Sequence, residues 1–146
     1  MKYANKGKIA FFLIIAFYCT AASFSQNAQI TIEITNVVVN DGIVHVAIFF
    51  DADEFRREIP SIGLQTGSTG TAVTLDVTLP VGEYVISAYQ DSNGNNRMDY
   101  RLFGIPRELV AMSNFNGRGF PSKNFNRQKI RITETTGRVT LPFHRF

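Results

Sequence analysis

Cysteine occurs once in the 146 residues, at position 19, histidine twice and tryptophan not at all. A single cysteine allows no internal disulfide and no Cys-ligated zinc or iron–sulfur site. Two histidines, His45 and His144, and no Gly-x-Ser-x-Gly elbow leave no nucleophile–base–acid triad to assemble. The lack of tryptophan argues against a sugar-stacking surface. Beyond residue 26 no apolar run approaches the roughly 20 residues of a helical membrane span. Charged residues are also sparse, at 18%, and leave a net charge of +3 with a pI near 9.2.

The position of the charge decides what it means. Lys2, Lys6 and Lys8 precede the apolar run Ile9–Cys19, and the small residues Thr20, Ala21, Ala22 and Ser23 follow. A basic head, an apolar middle and a small-residue end are the three parts of a secretory signal peptide. Ser23 and Ser25 place cleavage before Gln26, so residues 1–25 read as leader and 26–146 as one domain. Tyr18 is too bulky for the residue before a lipid-modified Cys19. The leader carries three of the 15 basic residues and none of the 12 acids, so the mature chain holds 12 of each. A neutral domain offers no electrostatic case for nucleic acid. The expected location is periplasmic or secreted.

Period-2 alternation dominates the remainder. Ile30, Ile32 and Ile34 alternate with Thr31, Glu33 and Thr35, and Val73, Leu75, Val77 and Leu79 with Thr74, Asp76 and Thr78. Asn40-Asp41-Gly42 is a turn signal between Gln29–Val39 and the β-rich Ile43–Phe50, so 29–50 reads as a hairpin. Asp53 is placed to cap a short helical turn ended by Ile59-Pro60, and 61–70, rich in Gly, Ser and Thr, reads as loop. Pro80-Val81-Gly82 leads into a strand at Tyr84–Gln90, and 128–133 with 138–143 reads as a closing hairpin about Thr136-Gly137. The expected fold is an all-β sandwich of about six to seven strands with one long irregular loop, 91–127. Alternating strand directions would then bring the acidic loop Asp51–Glu54 beside the loop that begins at Asp91.

One segment could carry chemistry. In Asp91-Ser92-Asn93-Gly94-Asn95-Asn96-Arg97-Met98-Asp99, oxygen-bearing side chains stand at the first, third, fifth and ninth positions. A curled loop with that spacing aims Asp91, Asn93, Asn95 and Asp99 at one centre, and the Arg97 carbonyl can join them, which suits Ca²⁺. The twelfth position is Leu102, so the bidentate Glu of a helix–loop–helix site is missing. The other reading of the same residues is an ion-free turn held by Asp and Asn side chains on backbone N–H groups.

The stretch from Leu79-Pro80-Val81-Gly82 through Asp91, Asn93-Gly94-Asn95 and Asp99 resembles a bacterial family of exported proteins known as domain of unknown function 2141. Gly104-Ile105-Pro106, Ser113-Asn114 and Gly119-Phe120-Pro121-Ser122 extend the resemblance over most of 29–143. Gln90 stands where members often carry His, and Asn96 where they often carry Gly. The resemblance implies an immunoglobulin- or transthyretin-like sandwich outside the cytoplasm and no established activity.

Other candidates are simpler to explain by packing. His45 reads as a hydrogen-bonded structural residue of the second strand and His144 as a surface residue. Asp51 or Asp53 with Asp91 or Asp99 could form a carboxylate pair for a small hydrolase, given a cleft. Phe103, Phe115, Phe120 and Phe125 read as anchors of the long loop, although Phe103, Arg118 and Phe120 could also form a ligand- or glycan-binding platform. Taken together, the residues predict a non-enzymatic binding or structural module of the cell envelope, with an unspecified envelope or extracellular partner and a possible structural Ca²⁺.

Overall fold

A computed structural model describes residues 26–146; the leader assigned to 1–25 lies outside the described residues. The chain is all-β, in two sheets. Strand β1 (Asn27–Thr35) is followed by β2 (Ile43–Phe49), helix α1 (Ala52–Arg57), β3 (Ile62–Gly67), β4 (Ala72–Pro80) and β5 (Gly82–Asp91). Then come a 3-10 turn (Leu102–Gly104), β6 (Leu109–Met112), helix α2 (Phe125–Gln128), β7 (Ile130–Ile132) and β8 (Arg138–Pro142). One sheet has the order β4-β1-β8; the other runs β3-β2-β5-β6, with β7 also on β5.

Alternation explains the core. Ile30, Ile32 and Ile34 of β1 are buried, as are Val44, Val46 and Ile48 of β2, Ile86 and Ala88 of β5 and Leu141 of β8, in one cluster drawn from both sheets. Burial of a side chain of that size contributes roughly 1.5–3 kcal/mol.

Connectivity departs from expectation in four places. First, β1 and β2 form no hairpin: β1 pairs with β4, Asn27 opposite Pro80, while β2 pairs with β3 and β5. The turn residues behave as anticipated, with Asn40 and Gly42 at positive φ, but they redirect the chain from one sheet to the other. Val37 sinks into the core, and Val38 is paired by a side chain: its N–H donates to Gln90 Oε1 at 3.0 Å, and Gln90 Nε2 donates to the Val38 and Asp41 carbonyls, each at 2.7 Å. Second, 62–67 is strand β3, because β2 offers it an edge and Leu64 packs on the core despite the polar composition. Third, 128–143 is no hairpin. β7 pairs with β5, and β8 lies parallel to β1, so each sheet gains one strand. Fourth, the long segment 91–127 contains β6 and the start of α2.

The extra strand changes the polarity of the molecule. Ile43 faces Asp91 and Phe49 faces Val85 in the β2–β5 ladder. The acidic turn after β2 and the loop after β5 therefore occupy opposite ends of this sheet, correcting the expected juxtaposition. No carboxylate pair forms between Asp51 or Asp53 and Asp91 or Asp99.

Candidate functional site

At the end where β2 begins and β5 finishes, Asp91 is fully buried and its carboxylate organises the turn that follows. Oδ1 accepts the N–H groups of Gly94 at 2.8 Å and Asn95 at 3.3 Å, and Oδ2 accepts that of Asn96 at 2.7 Å. Asn96 lies at φ 60°, a left-handed conformation that Asn tolerates better than most residues. Asn93 Oδ1 accepts the Asn95 N–H and Asn95 Oδ1 the Arg97 N–H, both at 3.0 Å. Their amide nitrogens converge on Asp99 Oδ2, from Asn93 at 2.7 Å and from Asn95 at 2.9 Å. Asp91, Asn93, Asn95 and Asp99 thus share one turn, with the Asn amide nitrogens rather than their oxygens facing Asp99. In this arrangement side-chain-to-backbone bonds hold the turn, and each Asn oxygen keeps a second lone pair.

A residue that sequence reasoning missed completes the group. Gln90 pairs with Leu109, so the next positions, Asp91 and Glu108, stand opposite each other where β5 ends and β6 begins. Glu108 is only 7% exposed. Its Oε2 accepts the Asp99 N–H at 2.8 Å, while Oε1 is buried with no hydrogen-bond partner among the described residues. Burial first, then the charges of Asp99 and Asp91, hold the Glu108 carboxyl above the usual range, against the Asp99 N–H and Arg107. The Tyr89 hydroxyl is raised by burial and by the same Asp91 and Glu108 charges. Nothing in the sequence around Glu108 marked it, because its role depends on a strand pairing.

Among the described residues no three or more His, Cys, Asp or Glu side chains are arranged to hold a metal ion by themselves. A cation here would therefore also need the oxygens of Asn93 and Asn95 and the backbone carbonyl of Arg97.

His45 lacks the hydrogen bond at Nε2 expected of a structural residue. It is half-buried on the face opposite Val44 and Val46, stacked on Tyr89 with ring centroids 4.8 Å apart. Its Nε2 stands 3.8 Å from Asp91 Oδ2. A shallow hollow of about 320 Å³ beside it is lined in part by Tyr89, Gln65 and Leu64. His144 is not a surface residue. Its backbone pairs with Val110, its ring meets Phe115 edge-on, and a side chain at Gly117 would collide with it.

At the other end Asp51, rather than Asp53, caps α1, its Oδ1 accepting the N–H groups of Asp53 at 2.8 Å and Glu54 at 2.9 Å. Asp53 instead bonds Arg56, and Glu54 accepts the Phe50 N–H and the Ser61 hydroxyl.

The aromatic residues of the long segment divide. Phe115 and Phe120 pack on Phe146, and Phe125 on Phe55. Phe103 has no such partner and is 98% exposed. Arg118 is exposed near Phe120 in sequence, its N–H donating to Asn116 Oδ1 at 3.1 Å.

Among the described residues no helix is long and apolar enough to cross a membrane. No curated protein and no solved structure matches the chain. The family described as "Uncharacterized protein conserved in bacteria (DUF2141)" matches residues 32–140, from β1 to β8 and across the whole Asp91–Glu108 group, and the chain belongs to that family.

Proposed function

We propose that the mature protein is an exported, non-enzymatic accessory module of the bacterial envelope, periplasmic or secreted, in which the Asp91–Asp99 loop and Glu108 hold a structural Ca²⁺. The two sheets would form an immunoglobulin- or transthyretin-like sandwich. The observation that carries the reading is Glu108: a buried carboxylate oxygen without a donor, opposite Asp91 and bonded to the Asp99 backbone. A buried charge left uncompensated is costly; a proton or a hard cation can relieve it, and the oxygens beside Glu108 favour the cation. Asp91, Asp99 and Glu108 would supply charge, and Asn93, Asn95 and the Arg97 carbonyl neutral oxygens. That ligand set suits Ca²⁺ once the Asn amides turn from Asp99 and the three acids draw closer on binding. The ion would fasten the start of the long segment to the ends of β5 and β6.

Affinities of about 0.1–1 mM are typical of extracellular calcium modules. At ten-fold excess over Kd, such a site adds about 1.4 kcal/mol to stability. Thermal melts in millimolar calcium against excess chelator should differ by about 5 °C. An absent difference, or one that persists in Asp91→Ala plus Asp99→Ala, overturns the assignment.

A second reading, a metal-independent ligand or glycan surface, is favoured by Phe120, which is 59% exposed while stacked on Phe146. It predicts that truncating Phe120 and Arg118 abolishes binding to an envelope polymer in a domain that still melts cooperatively.

A further inference from the structure

The segment between Asp99 and Glu108 is a narrow finger. The Arg107 N–H donates to the Asp99 carbonyl at 2.9 Å, Tyr100 and Pro106 form an antiparallel bridge, and the Arg101 N–H donates to the Ile105 carbonyl at 2.7 Å. The chain reverses over Leu102-Phe103-Gly104, with the Gly104 N–H on the Arg101 carbonyl at 3.2 Å. At this tip Leu102 is 82% exposed and Phe103 98%. Phe103 holds φ 66° and ψ 20°, a left-handed conformation unfavourable for a bulky aromatic residue. Two adjacent large apolar side chains displayed in water, one on strained backbone, contribute nothing to the core and mark a contact surface.

Charge around the tip defines its partner. Arg97, Arg101 and Arg107 are exposed on or beside the finger. Of the nearby acids, Asp99 receives the two Asn amides and stands 3.9 Å from Arg97, and Glu108 is buried. Burial first, then the charges of Glu58 and Glu108, raise the Tyr100 hydroxyl. Arg101 and Arg107 are left without a salt bridge among the described residues. The outward-facing chemistry is an apolar point with a cationic collar, and half-exposed Tyr100 lies between them. A convex point needs no pre-formed groove if it enters a fluid apolar phase, while each arginine near an anionic headgroup layer adds attraction. We infer that the Leu102–Phe103 finger is a membrane-contact element that inserts its tip into an anionic lipid surface. It requires no calcium at the neighbouring loop.

The absence of tryptophan makes the test local. In full-length protein, Phe103→Trp introduces the single indole at the tip, so its emission reports the finger even if residues 1–25 bind lipid themselves. With vesicles of equal phosphatidylglycerol and phosphatidylcholine, emission should move to shorter wavelength and be quenched by brominated acyl chains. Adding Leu102→Ser should weaken the lipid dependence about tenfold or more. Arg101→Ser plus Arg107→Ser should weaken it at least about tenfold on these vesicles, and by less on phosphatidylcholine alone. Phe55→Trp, packed between Phe49 and Phe125, should show no shift. Emission that ignores lipid overturns the inference. So does a shift that grows with protein concentration without lipid, which would identify a second copy as the occupant.

Discussion

The two acidic turns at the ends of the β2–β5 pair look alike in sequence and differ in what their carboxylates meet. In Asp51–Glu58 the acids are largely exposed, and Asp51, Asp53 and Glu54 are taken up by the cap, by Arg56, and by Phe50 and Ser61. In Asp91–Asp99 the first carboxylate is wholly buried, the last is shared by two amides, and Glu108 joins with one oxygen unpaired. Acidic residues of similar density thus differ in electrostatic cost, and only burial combined with a missing donor leaves one for a proton or an ion to offset.

The contrast can be broken most forcefully at Gly42. It sits at φ 79°, and a Cβ there would collide with the Asp91 carbonyl oxygen. Gly42→Ala should destabilise the fold by about 4 kcal/mol, combining left-handed strain with overpacking. Urea denaturation measures it, and a loss below about 1 kcal/mol would mean that the end of β5 is looser than described. Asp91→Ala should cost about 3 kcal/mol, because three inward backbone donors lose a charged acceptor. Asp51→Ala removes a similar cap at an exposed site and should cost about 1 kcal/mol. Equal losses for the two would erase the distinction between the turns.

Glu108→Gln sharpens it from the other side. In chelator this change should alter stability by less than about 1 kcal/mol, since it removes a buried charge while keeping shape. In calcium, the variant should lose most of the melting-temperature rise. The smallest effect belongs to an exposed pair. Lys129 Nζ donates to Glu83 Oε2 at 2.7 Å, and this bond is the main reason the Glu83 carboxyl lies below its ordinary value. A lowered folded-state value means the contribution is present above the unfolded pKa and disappears as pH falls through the folded one. Glu83→Gln should thus narrow the melting difference from wild type as pH drops through the carboxylate range. A difference that widens in acid would contradict that sign.

Legibility followed the range of the interaction. The isoleucine row of β1 and the valine–leucine row of β4 were readable because each residue's face is set by its neighbours two positions away. The Asp91–Asp99 turn, held by Asp and Asn side chains on backbone N–H groups, was readable for the same reason, being local. Strand β3 was hidden, because only Ile62 and Leu64 within Ile62–Gly67 signal burial and the edge of β2 completes the strand. Gln90 looked like a family departure, yet it pairs Val38 from 52 positions away. Glu108 lay within an apparently irregular loop, and only its register opposite Asp91 reveals it.

By itself the sequence determined the strand segments, the turn residues, the neutral balance beyond residue 25 and the family. Those properties are local or compositional, so no partner strand is needed to state them. Tertiary structure decided which edges meet, that the two acidic turns face opposite ways, that Glu108 closes the Asp91 loop and that Phe103 stands in solvent. Each of those depends on pairing between distant residues. A period-2 pattern says which side of a strand is buried, but it does not say which strand lies beside it.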